Sequence, residues 1–260
     1  MKKYSVSGAF LKHAAYLTMF IDHFAVVIIS AYVEWLRLQR APLETAAFAY
    51  HMGRHVGRIA FILFAFMASE GFRYTRSRKK YLLRLAGFAL ISEIPFDLAI
   101  ENNFFSMEAQ NVYWTLFLGV LALCILEKLH KKPFWQFTGV LLCCIAAVLL
   151  RTDYMVMGVL LIVVFYLCRG SFWSQFMFGA ATIYAGQVML YVIRYWGKGI
   201  PMLTYMEAST SELYGLLAFG FIYCYNGKRG RQLPKAFYYW FYPLHLLLLY
   251  GIKLILFPGI

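Results

Sequence analysis

An aspartate and a histidine stand side by side, Asp22 and His23, near the middle of the apolar run Leu17–Phe24 (LTMFIDHF). Ionisable groups at that depth of a bilayer cost several kcal/mol unless a polar cavity or a partner receives them, so two together point to chemistry. Neighbouring residues of a helix project about 100° apart, so Asp22 and His23 cannot form a dyad with each other. Each needs a partner on another helix, which predicts a polar pocket inside a helical bundle. Glu93 and Asp97 in ISEIPFD, and His245 in FYPLH, are further ionisable residues within apolar stretches. Each of these stretches carries a proline, Pro95 or Pro243. A proline there removes a backbone bond and kinks the helix, and membranes tolerate such breaks where the backbone lines a cavity or packs on protein. Lys12 precedes His23 by eleven residues, three helical turns, which puts both on one face about 16 Å apart. That geometry suits a long ligand with an anionic head at Lys12 and a reactive end at His23.

The elements that must position these residues are membrane helices. The 260 residues are 62% hydrophobic and 19% aromatic, with only 14% charged, too little polar material to cover a soluble domain of this size. The formal charge of +13 sits in short connections between apolar runs, where it reads as topology signals and attraction to anionic lipids; no nucleic-acid partner is expected. Spans are expected at about 11–33, 55–72, 81–100, 112–127, 134–150, 153–168, 172–194, 212–225 and 237–257. With nine crossings, the N-terminus and the connections 73–84, 128–132, Arg169 and 226–235 fall on one side and hold seventeen of the 25 Lys and Arg. The positive-inside rule makes that side cytoplasmic. The expectation is an all-α polytopic membrane protein, one bundle of about nine helices in a single domain over 1–260, with a cytoplasmic N-terminus. The basic start has no small-residue cleavage pattern, so the first helix is expected to be retained. The five cysteines read as packing residues, and no H-E-x-x-H, C-x-x-C, Gly-rich phosphate loop or G-x-S-x-G occurs, so no metal is expected.

Once the helix directions are set, depth sorts the polar residues into layers. His23, Glu93 and His245 share a level. Arg58, Asp97, Asn111, Asp153 and Glu212 form an outer layer, and Glu70 leads into the basic run Arg73, Arg76, Arg78, Lys79 and Lys80 on the cytoplasmic side. That run is first a topology signal, with phosphate binding as a second role. An ion pair of Glu93 or Asp97 with Arg58 or Arg151 is the purely structural alternative. Gly53 and Gly57 form a G-x-x-x-G, a weak signal for close helix packing.

Several motifs in matching order resemble the TraX family of integral membrane proteins, named for an acetyltransferase that modifies the N-terminus of conjugative pilin. They are LKHAAYLTMFIDH (11–23), GRIAF (57–61), FAFMASEGFRYTRSRKKYLLRL (64–85), ISEIPFDL (91–98), QNVYWTLFLG (110–119), TDYMVMGVLLIVVFY (152–166) and FYYWFYPLHLLLLY (237–250). In the family pattern GRIAF continues with a proline; this chain has Ile62. The resemblance implies a multi-pass acyltransferase of the bacterial cytoplasmic membrane that moves an acetyl group from cytoplasmic acetyl-CoA, as co-substrate, to an acceptor at or across the membrane. It also implies that the early-helix histidine, here His23, is catalytic, and that Arg73 and Arg76 are placed to meet CoA phosphates. Together these give an expected site. Lys12, Arg73, Arg76 and Lys80 take the phosphates. His23 is the general base, balanced by Asp22 or Glu93. His245 at the same level and the outer residues Arg58, Asp97, Asn111 and Asp153 face the acceptor. The acceptor, a peptide N-terminus, amine or glycan, stays open, as do a proton-coupled small-solute transporter and a non-catalytic envelope-assembly partner.

Overall fold

The computed structural model describes residues 5–195, 198–199, 201–203, 205 and 210–260. Lys2 and Lys3 of the basic N-terminus, and much of the connection 195–211, lie outside the described residues. Among the described residues the chain is helical, with two isolated bridges, Val6 to Tyr225 and Gln110 to Thr152, and no extended strand. Helix α1 (Gly8–Leu38) contains a π turn at Ala25–Ile29. It is followed by α2 (Glu44–Tyr74) and by α3 (Arg78–Phe96), which runs on into a second π turn at Asp97–Glu101. Then come α4 (Val112–Lys128), α5 (Pro133–Leu149), α6 (Met155–Leu167) and α7 (Phe172–Tyr195). A 3-10 stretch, Thr210–Leu217, leads into α8 (Ala218–Cys224), and α9 (Lys235–Leu256) closes the chain.

Local sequence sets these boundaries. Ser7 caps α1 by accepting from the Phe10 N–H, Ser77 caps α3 through the Lys80 N–H, and Asn111 caps α4 through the Tyr113 N–H. Each satisfies a donor that the first helical turn leaves orphaned. Pro133 opens α5 at its first position, where no N–H is needed. Three helices, α1, α2 and α9, are long and apolar enough to cross a membrane; Pro133–Leu149, Met155–Leu167 and Glu212–Cys224 are apolar but shorter. This is the length and composition of a membrane protein.

The largest difference from the sequence expectation is at α2, which begins at Glu44, whereas 34–54 reads as a connection. The polar residues His51 and Arg54 interrupt the apolar run, and hydropathy does not show that Arg54 finds an ion-pair partner in Asp22 on α1. Packed pairs fix the helix directions. Asp22 meets Gly57 and Tyr16 meets Phe64, so α1 and α2 are antiparallel. On α9, Tyr238, Phe241 and His245 meet Tyr16, Phe20 and His23 in the same order, so α1 and α9 are parallel. Phe61 on Tyr154 and Phe66 on Phe165 make α2 and α6 parallel, and Gly119 and Thr115 against Ile162 and Gly158 do the same for α4 and α6. Arg78 with Glu127 and Glu93 with Asn111 set α3 against α4, and Gln136 with Leu126 and Gly139 with Ile125 set α5 against α4. Gly186 with Met157 and Gly179 with Leu161 set α7 against α6, and Phe172 with Tyr223 and Phe176 with Phe219 set α8 against α7, so successive helices alternate. The basic connections gather at one end, where Arg169 meets Glu70 and Arg78 meets Glu127. At the other end Arg151 meets Glu108.

Gly53 and Gly57 let α1 and α2 approach closely. A Cβ on Gly53 would lie 2.6 Å from the Ala25 Cβ, and one on Gly57 would fall on the Asp22 carboxylate. Gly57→Val is therefore expected to push α1 off α2 and cost about 1–3 kcal/mol by overpacking, read as a lower thermal midpoint of the detergent-purified protein.

Candidate active site

A cavity of about 620 Å³ opens at the basic end between α1, α2, α3, α4 and α9. Its volume falls within the range of about 300–1,000 Å³ usual for ligand sites. Helix α1 contributes Gly8, Leu11, Lys12, Tyr16 and Met19, a stripe that follows from helical spacing and ends one turn short of His23. Lys12, Arg84, Arg229 and Lys235 make the mouth cationic, with Glu70 among them. Eight tyrosines line the wall, and Met19, Val112, Tyr113 and Tyr242 lie deepest along their helices from the mouth. The connection after α8 forms part of the rim because α1 holds it there. The Gly8 and Ala9 N–H groups, orphaned at the helix start, donate to the Lys228 and Arg229 carbonyls at 2.8 and 2.9 Å. Lys12 Nζ donates to Gln232 Oε1 at 2.6 Å and sits 4.7 Å from the centre of the Tyr238 ring.

Of the four expected phosphate ligands only Lys12 lines this cavity. Arg73 lies against the Tyr74 ring, and Arg73, Arg76 and Lys80 are exposed beyond the lining residues. Arg84, Arg229 and Lys235 stand in the wall instead. Arg229 and Lys235 belong to a connection that reads as a topology signal; only its attachment to α1 brings it over the mouth.

His23 and His245 come together between α1 and α9. His23 Nδ1 is 2.6 Å from His245 Nε2, and the rings lie end to end, with centroids 4.9 Å apart and planes 24° from parallel. His245 Nδ1 lies 2.7 Å from the Phe241 carbonyl oxygen, which can only accept. Tyr242 joins this pair to the cavity: it lines the deep wall, and its ring centroid is 5.7 Å from that of His23 and 5.8 Å from that of His245. His23 itself is not among the lining residues. Proline 243 shapes the same turn. Lacking an N–H, it frees the Tyr239 carbonyl, which accepts from Tyr113 Oη at 3.2 Å.

The carboxylates expected to balance His23 are engaged elsewhere. Asp22 Oδ2 accepts from Arg54 at 2.8 Å. As the helical geometry requires, Asp22 and His23 find partners on different helices, α2 and α9. Glu93 accepts from Asn111 Nδ2 and, at 3.0 Å, from Trp114 Nε1. The alternative in which Glu93 or Asp97 pairs with Arg58 or Arg151 is not what forms. Arg58 pairs with Glu212 at 2.9 Å and Arg151 with Glu108 at 2.7 Å. Asp97 instead ties down the following loop by accepting from the Ser106 N–H at 2.9 Å. Asn111 is fully buried and occupied, donating to Ala89 O and to Glu93 while capping α4.

The outer layer of the sequence reading is thus divided. Arg58 and Glu212 form one cluster with Asp153, Tyr154 and Asp22 within electrostatic reach of the Arg58 guanidinium. Asn111 belongs with Glu93, Asp97 stands in its own loop contact, and His245 belongs with His23. Arg54, Tyr242 and Trp114, together with Arg84, Arg229 and Lys235 at the mouth, are the participants that sequence reasoning missed. The tyrosine-rich segment FYYWFYPLH (237–245) is the one sequence signal that could have marked Tyr242. Each π turn begins at or just beyond an ionisable residue, Ala25 after Asp22 and His23, and Asp97 itself; π turns inside helices are frequent at functional sites.

The family model described as TraX protein matches residues 7–253. A relative described as a probable fimbrial assembly protein FimC, serogroup H1, from Dichelobacter nodosus is 27% identical over 255 residues, covering 95% of each chain. No solved structure matches.

Proposed function

Because the chain belongs to the TraX family, we propose that it is a membrane-embedded acyltransferase that transfers an acetyl group from cytoplasmic acetyl-CoA to an amine or hydroxyl of an envelope acceptor. In this reading the nine helices found among the described residues cross the bacterial cytoplasmic membrane as one domain, with the N-terminus and the basic end inside. The alternation of helix directions and the gathering of basic connections at one end support that topology. The observation that carries the proposal is the cavity from a cationic mouth to Tyr242, the residue that touches both His23 and His245.

Lys12, Arg84, Arg229 and Lys235 hold the anionic head of the donor at the mouth, with Arg73, Arg76 and Lys80 adding long-range attraction. The narrow acyl-bearing arm lies along the tyrosine wall toward His23, with Tyr242 at the deep end between the cavity and the imidazole. His23 takes a proton from the acceptor N–H or O–H as that atom attacks the thioester carbonyl. The C–S bond breaks, the leaving thiolate takes the proton back, and the products are the acetylated acceptor and free CoA. A positioned base contributes about 10²–10⁴ in rate, so holding both substrates in one geometry supplies much of the remainder. The name of the Dichelobacter relative supports a pilin-like peptide as acceptor, and it equally favours a second reading, an assembly partner without chemistry.

Thermal unfolding of the detergent-purified protein separates these readings. Acetyl-CoA at a hundred times its dissociation constant is expected to stabilise an acyltransferase by about 2.7 kcal/mol. An assembly partner gives no shift. Replacing Lys12 and Arg229 together by alanine is expected to weaken the shift at least about tenfold in ligand concentration, since hydrogen bonds to charged groups are worth about 1.5–3 kcal/mol each. An unchanged response would remove the mouth from donor binding.

A further inference from the structure

Two neutral imidazoles in contact satisfy each other only when one nitrogen donates and the other accepts, so the surroundings of the pair decide its tautomers. Here one end of the chain is fixed. The Phe241 carbonyl has no hydrogen to give, so Nδ1 of His245 carries one, and in neutral His245 this leaves Nε2 with only a lone pair. That nitrogen lies 2.6 Å from Nδ1 of His23. The contact is a hydrogen bond when His23 carries its hydrogen on Nδ1, which leaves Nε2 of His23 as the nitrogen with the free lone pair.

We infer that His245 is a positioning residue that holds His23 in the tautomer with Nδ1 protonated, so that Nε2 of His23 is the base. The part played in acyl transfer rests on the function proposed above, whereas the tautomer does not. His245 is well placed for this task. It is 4% exposed, its ring stacks on Phe241 with centroids 4.9 Å apart, and Phe20 and Tyr242 flank it. Its bond to Phe241 O spans four residues, one turn of its own helix, so the ring is locked by local geometry before His23 meets it. Among the described residues no carboxylate takes this place, because Asp22 is turned to Arg54 and Glu93 to Asn111 and Trp114.

The protons balance. When Nε2 of His23 accepts a proton from the acceptor, the hydrogen on Nδ1 is shared with, or passes to, Nε2 of His245. The positive charge then spreads over two rings, with the Phe241 carbonyl still accepting from Nδ1 of His245. Departure of the thiolate with the Nε2 proton returns the Nδ1 hydrogen to His23.

Nitrogen-15 shifts of histidine-labelled protein, with His23→Gln to assign the His23 signals, read the tautomer without any substrate. The parent is expected to show His23 protonated at Nδ1 and bare at Nε2. His245→Leu loses that preference, and His245→Gln, whose amide oxygen can accept, restores it. Should His245→Leu fail to fold, His245→Asn, whose amide stops short of Nδ1, replaces it. In acetyl transfer, His245→Leu is expected to lower kcat about tenfold or more with the KM for acetyl-CoA unchanged, and His245→Gln to recover most of the loss. A parent His23 bare at Nδ1 overturns the inference. So does a variant at 245 that scrambles the tautomer yet keeps the parent kcat. A locked, 245-dependent tautomer in a protein that transfers no acetyl group upholds the positioning and overturns the acyltransferase reading.

Discussion

His23→Ala is expected to reduce acetyl transfer by about 10²–10⁴-fold, the contribution of a positioned general base, while the protein remains folded. The variant removes one partner of the buried imidazole contact and leaves His245 Nε2 unpaired, so a stability loss of about 1–3 kcal/mol accompanies the loss of rate. Single-turnover transfer to an acceptor amine and a thermal scan of the same sample measure both. Asp22→Asn is the informative contrast. Asp22 is paired with Arg54 and packed on Gly57, so its neutral analogue should weaken the α1–α2 contact and leave the chemical step close to the parent. If Asp22→Asn abolishes transfer while His23→Ala does not, the base has been assigned to the wrong neighbour.

Breaking the Arg58–Glu212 pair is expected to have the largest effect on stability. The two side chains are 11% and 19% exposed and 2.9 Å apart, joining α2 to the 3-10 stretch that leads into α8. Arg58→Leu leaves the Glu212 carboxylate facing Asp22 and Asp153 with its nearest cation gone. The cost is about 3 kcal/mol, the lower end of the range for stranding one member of a buried pair, since Arg54 remains nearby. The double variant Arg58→Leu, Glu212→Leu should recover most of that loss, because a buried pair replaced as a unit by apolar residues is often nearly neutral. Equal destabilisation of the single and double variants would mean that packing of the arginine stem, not charge, joins these elements.

The helical bundle was legible because apolar runs, prolines and basic connections each carry a local signal. Among the described residues each expected span falls on helical structure, with most ends agreeing to within a few residues, and the span 212–225 divides between the 3-10 stretch and the short α8. The exception, the start of α2, fails for a physical reason. Gly53 and Gly57 let α1 lie tightly against this turn and Asp22 pairs with Arg54, so a turn whose polar residues look like a loop in the sequence stays helical. Arg54 lies within that apparent loop, so the sequence does not show the ion pair that occupies Asp22. The common level of His23 and His245 followed from spacing, but nothing in the spacing made them touch.

What the amino-acid sequence determined by itself was the class of protein, the family, the gathering of basic connections at one end and the residues whose chemistry needs explaining. These depend on residue type and on separation along one helix, which the chain carries locally. Only the tertiary structure decided partnership: Arg54 for Asp22, His245 for His23, Asn111 and Trp114 for Glu93, and the 226–235 connection at the mouth of the cavity. Those pairings join residues from about 20 to over 200 positions apart, and they are fixed by which helix faces pack together, a property of the whole bundle that no single stretch of sequence encodes.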